Sequence, residues 1–202
     1  MISTTLEHGK IHEAFNCFEQ IQHEGLSANV FTFSCILKAC GDIGAIEKGK
    51  QIHDEIVRRG LSAINITLGN ALVDMYAKCG VLIESQQALE ELYIRNVVSW
   101  SALISGYAQQ GQGHEALKCF KRMQSEGLSP DEITFICMLK ACASIGAINK
   151  GKEIHVDIIT RGLLEKDTVL GTALVDMYAK CGVLSKSKQV FEELPIRNIG
   201  SW

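Results

Sequence analysis

Two segments that contain glycine and lysine have the spacing of a phosphate-binding loop. Residues 44–50 have the sequence GAIEKGK, and residues 146–152 have the sequence GAINKGK. In nucleotide-binding proteins such a loop follows a strand, and a hydroxyl residue after the lysine binds magnesium. Here Gln51 and Glu153 follow the lysine, and the flanking patterns are helical. We therefore interpret both segments as turns between helices.

Cysteine and histidine are the other residue types that could hold a metal or act as nucleophiles. The eight cysteines contain no Cys-x-x-Cys pair and are Cys17, Cys35, Cys40, Cys79, Cys119, Cys137, Cys142 and Cys181. Without a secretory signal, they are best explained as small buried residues in a reducing compartment, with metal or redox use as the alternative. No Ser-His-Asp or Cys-His arrangement surrounds His12, His53, His114 or His155. We predict no enzyme activity, no metal and no cofactor.

The composition describes a folded, slightly acidic protein. The 202 residues include 20 Lys and Arg against 23 Asp and Glu, a net charge of −3, and 47% are hydrophobic. This much apolar surface argues against disorder. Bulk positive charge is excluded as a route to nucleic acid, so such binding would need a local arrangement. No apolar run approaches the roughly 18 residues that span a bilayer, and we expect no membrane contact.

The chain repeats itself after 102 residues. LVDMYAKCGVL at 72–82 recurs at 174–184, and RNVVSW at 95–100 recurs as RNIGSW at 197–202. The eight cysteines are therefore four positions seen twice, which suits packing better than a single active centre. Apolar residues fall at i, i+3, i+4 and i+7, as on one face of a helix. Glycines separate successive helices, so the sequence predicts helix–turn–helix pairs.

Stacked pairs of this kind predict an all-α fold, a right-handed α-solenoid or superhelix in which each helix pair contacts only its neighbours. The sequence resembles the pentatricopeptide repeat family, and within it the plant organellar class that alternates standard, long and short motifs. Residues 97–131 resemble a standard motif, 132–167 a long motif and 168–198 a short motif. The earlier ranges are a truncated standard motif at 1–29, a long motif at 30–65 and a short motif at 66–96, and residues 199–202 begin a further motif.

The resemblance implies binding of single-stranded RNA, about one base per motif, through the fifth and last residues of each motif. These pairs are Asn70 with Asn96, Ser101 with Asp131, and Thr172 with Asn198. They resemble the combinations for pyrimidine, guanine and adenine. Weaker pairs in the long motifs are Ser34 with Asn65 and Ile136 with Asp167, and isoleucine cannot hydrogen-bond a base. The implied core preference, from 5′ to 3′, is pyrimidine, G, any base, A.

The second residue of each motif is implied to sandwich the base. These residues are Phe31, Thr67, Val98, Ile133 and Val169. Lys78 and Lys180 are candidates for phosphate contacts, although each also follows an aspartate at i+4 and could form a surface ion pair. The Asn, Ser, Thr and Asp residues before helices could equally be N-caps.

The family resemblance further implies a role in organellar RNA editing (C-to-U) or RNA processing, in a mitochondrion or chloroplast. Accessory RNA-editing proteins are possible partners; the alternative function is a protein–protein scaffold. The His-x-Glu and Pro-Cys-x-x-Cys elements of the deaminase domain that often ends such proteins are missing. We expect no small-molecule substrate. Since the first and last motifs are incomplete and no targeting peptide or capping repeat is visible, we expect a fragment of a longer repeat tract or a truncated gene product. Its exposed apolar ends are expected to promote self-association.

Overall fold

The computed structural model describes residues 13, 15–16, 18–21, 23–24, 27–61, 65–164 and 167–194. In this part of the chain there are ten helices with defined bounds and no strand, which confirms the all-α prediction there. The helices are α1 (Val30–Ile43), α2 (Ile46–Arg58), α3 (Ile66–Lys78), α4 (Leu82–Glu90), α5 (Val97–Gln109), α6 (Gly113–Ser125), α7 (Glu132–Ile145), α8 (Ile148–Thr160), α9 (Thr168–Lys180) and α10 (Leu184–Glu193).

Glycine ends the first helix of the long pairs, as the sequence predicts. Gly44 follows α1 with φ of 70°, and Gly146 follows α7 with φ of 64°. Side chains with a Cβ rarely adopt this left-handed conformation. The two loop-like segments that contain these glycines therefore join helices, and no strand precedes either of them. The prediction that they are turns is confirmed.

The chain divides into two compact units, residues 1–95 and 96–202. In the first unit α1 packs along α3, α2 contacts both, and α4 lies on α3. Phe33, Leu37 and Leu68 are completely buried between these helices. The first helices of successive pairs thus form one layer and the second helices cover it.

The second unit repeats this arrangement with one more helix pair. Here α7 packs between α5 and α9, α6 contacts both α5 and α7, α8 contacts both α7 and α9, and α10 lies on α9. The aromatic rings of Trp100, Phe120, Phe135 and Tyr178 fill the core. No helix among the described residues is both long and apolar enough to cross a membrane.

An arginine after the second helix of each long pair ties that helix to the start of the first. The guanidinium of Arg161 lies 5.1 Å from the centre of the Phe135 ring and donates hydrogen bonds to Ser129 Oγ and the Pro130 carbonyl, both at 3.0 Å. In the first unit Arg59 makes the same contacts with Phe33, Ser27 and Ala28. The two copies of the 102-residue repeat therefore share these arginine contacts as well as their sequence.

Gly113 lies where α6 approaches α7 too closely for a larger residue. A Cβ at this position would lie 2.7 Å from the Ala141 carbonyl oxygen and 2.9 Å from Ser144 Oγ. We expect Gly113→Ala to lower the free energy of unfolding by about 1–3 kcal/mol, measured by urea denaturation. The control is Gly151→Ala, whose Cβ would meet only the flexible thioether of Met177. An equal loss for the two variants would contradict this explanation.

Candidate nucleic-acid interface

The last residue of each predicted motif lies immediately before a first helix and caps it. In every case the side-chain Oδ1 atom accepts hydrogen bonds from backbone N–H groups of the first turn, at 2.8 to 3.2 Å. The capping residues are Asn29, Asn65, Asn96, Asp131 and Asp167. The N-cap interpretation from the sequence is confirmed for these residues, while Asn198 lies outside the described residues.

Capping uses only one of the two polar atoms that each of these side chains carries. Within the described part of the chain, no hydrogen-bond partner contacts Nδ2 of the three asparagines or Oδ2 of the two aspartates. All five residues are partly or largely exposed. Each cap therefore leaves one polar atom able to contact a ligand, a donor in asparagine and an acceptor in aspartate.

The fifth residues differ in their contacts. Ser34 Oγ and Thr172 Oγ1 each donate to the carbonyl oxygen four residues earlier, both at 2.9 Å. Ile136 is half-buried. In Asn70, the Oδ1 atom is buried and has no hydrogen-bond partner among the described residues. Buried polar atoms in proteins rarely lack a partner.

Ser101 and Asp131, the fifth and last residues of one motif, are linked through Thr134. Ser101 Oγ lies 2.6 Å from Thr134 Oγ1, which donates to Asp131 Oδ1 at 2.5 Å. Ser101 is only 5% exposed and Thr134 is completely buried, while Asp131 is half-buried. The structure thus brings together the two residues predicted to read one base, and adds a third that the sequence analysis did not identify.

The other predicted pairs are not linked in this way. Asn70 and Asn96 belong to different compact units, and Asn198, the predicted partner of Thr172, falls outside the described residues. No hydrogen bond joins Ser34 to Asn65, or Ile136 to Asp167, in the part of the chain that is described.

The second residues of the motifs are exposed at the start of the first helices. Most of them are apolar, and the exposed fraction is 76% for Phe31, 57% for Val98, 62% for Ile133 and 60% for Val169. Thr67 is exposed as well.

The two candidate phosphate ligands are both held in ion pairs. Lys78 Nζ lies 2.8 Å from Asp42 and 3.0 Å from Asp74, whereas Lys180 pairs with one carboxylate of the described part of the chain, Asp176, at 2.9 Å. Burial would lower the pKa of Lys78, but its hydrogen bonds to the two carboxylates outweigh burial and raise it. The ion-pair alternative is confirmed for both lysines, and Lys180 is the more exposed of the two.

His53 and His155 have a partner that the sequence analysis missed. Their Nδ1 atoms lie 2.8 and 2.9 Å from the hydroxyl oxygens of Tyr76 and Tyr178, which belong to the next helix pair. The partners are 23 residues apart in both copies, so the repeat itself was the available signal. His114 is exposed, and His12 lies outside the described residues.

The cysteines show no sign of metal or disulfide chemistry in the described part of the chain. The seven that are described are free, and no cluster of metal-ligating side chains occurs there. Cys40, Cys137 and Cys142 are buried, whereas Cys35 is exposed, so the packing interpretation holds for only part of the set. Burial raises the pKa of Cys40 to about 11 and that of Cys142 to about 12. Cys17 is not among the described residues.

Comparison with known proteins identifies repeats along the sequence. Residues 1–42 and 95–144 match a model described as the PPR repeat family, and residues 31–61 and 172–199 match a model described as the PPR repeat. A pentatricopeptide repeat-containing protein of Arabidopsis thaliana is 37% identical over 193 residues, covering 96% of this chain and 28% of the relative. A chloroplastic protein of that name and organism is 37% identical over 202 residues, covering 100% of this chain and 32% of the relative. The chain thus spans about a third or less of these relatives.

Solved structures of the same fold are also found. The crystal structure of the pentatricopeptide repeat protein PPR10 in complex with an 18-nt psaJ RNA element has a TM-score of 0.74 and 23% identity, covering 89% of this chain and 27% of that one. Nuclear proteinaceous RNase P 2 from A. thaliana has a TM-score of 0.64 and 14% identity, covering 89% of this chain and 41% of that one. This likeness confirms the helical-repeat class of the fold.

The two histidine–tyrosine pairs, with His53 half-buried and His155 buried, predict a loss of stability in mild acid. Burial lowers the pKa of His53 and His155 below 6.5, against the opposing effect of nearby carboxylates. As the pH falls, the histidines take up protons at a higher pH in the unfolded chain than in the folded protein. Their contribution to the free energy of unfolding is therefore complete above pH 6.5 and is lost as the pH falls through the folded-state pKa values.

We expect thermal melts between about pH 7.5 and pH 5 to show a smaller loss of stability for the His53→Asn/His155→Asn double variant than for the unmodified protein. The matched control is His114→Asn, which replaces an exposed histidine that belongs to neither pair. Equal acid sensitivity in the unmodified protein and the double variant would rule out this role for the pairs.

Proposed function

The chain belongs to the pentatricopeptide repeat family, and from this premise we propose that it binds single-stranded RNA with one base per helix pair. We assign it to the subclass that alternates standard, long and short motifs, with the motif boundaries given above. The observation that carries the proposal is the hydrogen-bonded link from Ser101 through Thr134 to Asp131, which joins the two predicted base-reading residues of one motif.

The exposed apolar residues beside this link support a base-binding position. Val98 is the second residue of the same motif and Ile133 the second residue of the next, and both are more than half exposed. A base held between two such side chains would bury apolar area on both faces. Its edge would then meet the polar atoms of Ser101 and Asp131, which the family resemblance associates with guanine.

The remaining motifs complete the proposed preference of pyrimidine, G, any base, A. Asn70 and Asn96 are the proposed pyrimidine pair. The long motif of Ile136 and Asp167 offers one polar atom and an apolar neighbour, which supports little discrimination. Thr172 and Asn198 are the proposed adenine pair.

We place this activity in an organelle, as part of RNA editing or processing. Three relatives from Arabidopsis thaliana are named mitochondrial or chloroplastic, which supports that location. PPR10 was crystallised with an 18-nt RNA element, and its fold supports RNA as the ligand class. We also propose accessory RNA-editing proteins as partners, and self-association of the chain.

A protein–protein scaffold is the second candidate function. It is supported by exposed apolar side chains on second helices, Val156 and Ile159 on α8 and Val57 on α2. Titration with RNA of the proposed sequence, against scrambled RNA at several salt concentrations, separates the two functions. Selective, salt-sensitive binding favours RNA recognition, whereas a captured protein partner without RNA binding favours the scaffold.

Asp131→Asn should change the preferred base at the standard motif from guanine to adenine. The amide keeps an oxygen for the helix cap but presents a donor where Asp131 presented an acceptor, and adenine offers an acceptor there. We expect the ratio of dissociation constants to shift by at least about tenfold in gel-shift titrations. Asp167→Asn, the same exchange beside Ile136, should shift nothing. If the unmodified protein binds equally well when this guanine is replaced, the assignment fails.

Lys180 and Lys78 should differ as phosphate ligands. Two carboxylates already contact Lys78, while a single one contacts the more exposed Lys180. We expect Lys180→Ala to weaken binding equally for all RNA sequences and to lower the salt slope by about 0.7. Lys78→Ala should change that slope less. A larger effect of Lys78→Ala would contradict the ion-pair argument.

A further inference from the structure

We propose that Thr134 is a positioning residue that sets which base the Ser101–Asp131 pair accepts. The inference rests on the proposed function and adds to it a residue outside the motif that does the reading. Thr134 belongs to α7, the first helix of the following pair, and its side chain is completely buried. Thr134 has no exposed surface, whereas Ser101 keeps 5% and Asp131 is half-buried, so Thr134 acts through these two residues.

The direction of the two hydrogen bonds follows from the groups involved. A carboxylate can only accept, so Thr134 gives its single hydroxyl proton to Asp131 Oδ1, at 2.5 Å. In the 2.6 Å contact with Ser101, the threonine oxygen must therefore accept and Ser101 must donate. The chain of bonds runs in one direction, from Ser101 through Thr134 to Asp131.

This direction leaves both reading residues with acceptor capacity only. The Ser101 proton is directed to Thr134, so only lone pairs of its oxygen remain. Asp131 Oδ1 accepts from both the N–H and the O–H of Thr134, and Oδ2 remains as an acceptor. Two adjacent acceptors match two adjacent donors, which guanine alone presents on its Watson–Crick edge as N1–H and N2–H₂. Without the threonine hydroxyl, Ser101 could rotate and donate to other bases.

The other motif junctions support a role limited to this one. Thr32, which stands 102 residues earlier, also donates to the preceding cap, Asn29 Oδ1, at 3.0 Å. The fifth residue of that truncated motif is not among the described residues. At the other junctions Leu68 and Leu170 have no hydroxyl, and Ser99 donates to a backbone carbonyl instead. Among the described residues, Thr134 alone has a hydroxyl that contacts both reading residues of a motif.

The test compares binding of two short RNAs that carry either guanine or adenine at the position read by residues 97–131. We expect Thr134→Val, which keeps the side-chain shape, to reduce the preference for guanine about three- to tenfold. Thr134→Ser should restore it, because the hydroxyl returns. Thr32→Val removes an equivalent bond to a cap and should leave the preference intact. A purely structural role would lower thermal stability without changing the ratio.

The outcomes separate this inference from the function on which it rests. An unmodified protein without any preference for guanine overturns the proposed function, and the inference with it. A protein that prefers guanine, and keeps the whole preference in a folded Thr134→Val variant, overturns only the role of Thr134. Circular dichroism establishes that the variant is folded. If valine prevents folding, Thr134→Cys repeats the comparison with a side chain of similar size and a weak donor.

Discussion

The Asn or Asp residue before each first helix is the constraint on which the interface depends. The first turn of a helix has N–H groups without partners inside the helix. A capping side chain accepts hydrogen bonds from them and stabilises the helix. A serine or threonine cap would use its only oxygen for this purpose. Asparagine and aspartate carry a second polar atom, and in this chain that atom has no partner among the described residues. The same residue can therefore stabilise the fold through one polar atom and keep the other for a ligand, as we propose for Asp131.

The two copies of the 102-residue unit separate the needs of folding from those of recognition. Contacts that hold helices together are kept, such as those of Arg59 and Arg161 with an aromatic ring. The proposed reading positions differ instead, as the pairs Ser34 and Ile136, Asn70 and Thr172, and Asn65 and Asp167 illustrate. A duplicated scaffold with altered contact residues fits an array whose units bind different bases. It fits a single catalytic centre poorly, because such a centre has no use for a second copy of its framework.

The fold and the caps could be predicted from the sequence because both are local. Helical periodicity, glycine turns and Asn or Asp before a helix depend on residues a few positions apart, and the structure places them as expected. The link from Ser101 to Thr134 joins residues 33 positions apart, and the His155–Tyr178 pair joins residues 23 apart. Such contacts depend on how one helix pair lies on the next. The pairing of Lys78 with Asp42 was missed for the same reason, while its neighbour Asp74 was identified from the sequence.

Charge decides what kind of RNA binding this chain can support. The net charge is −3, and several lysines already contact carboxylates, among them Lys118, Lys150 and Lys180. Counterion release, which dominates unspecific binding, therefore contributes little. In the proposed complex, affinity would come from packing of bases on exposed side chains such as Ile133, and from hydrogen bonds to their edges. These terms are sensitive to the base, so weak phosphate contacts raise selectivity relative to affinity. A hydroxyl that fixes the direction of two hydrogen bonds, as at Thr134, then has a larger share in recognition than it would have on a strongly basic surface.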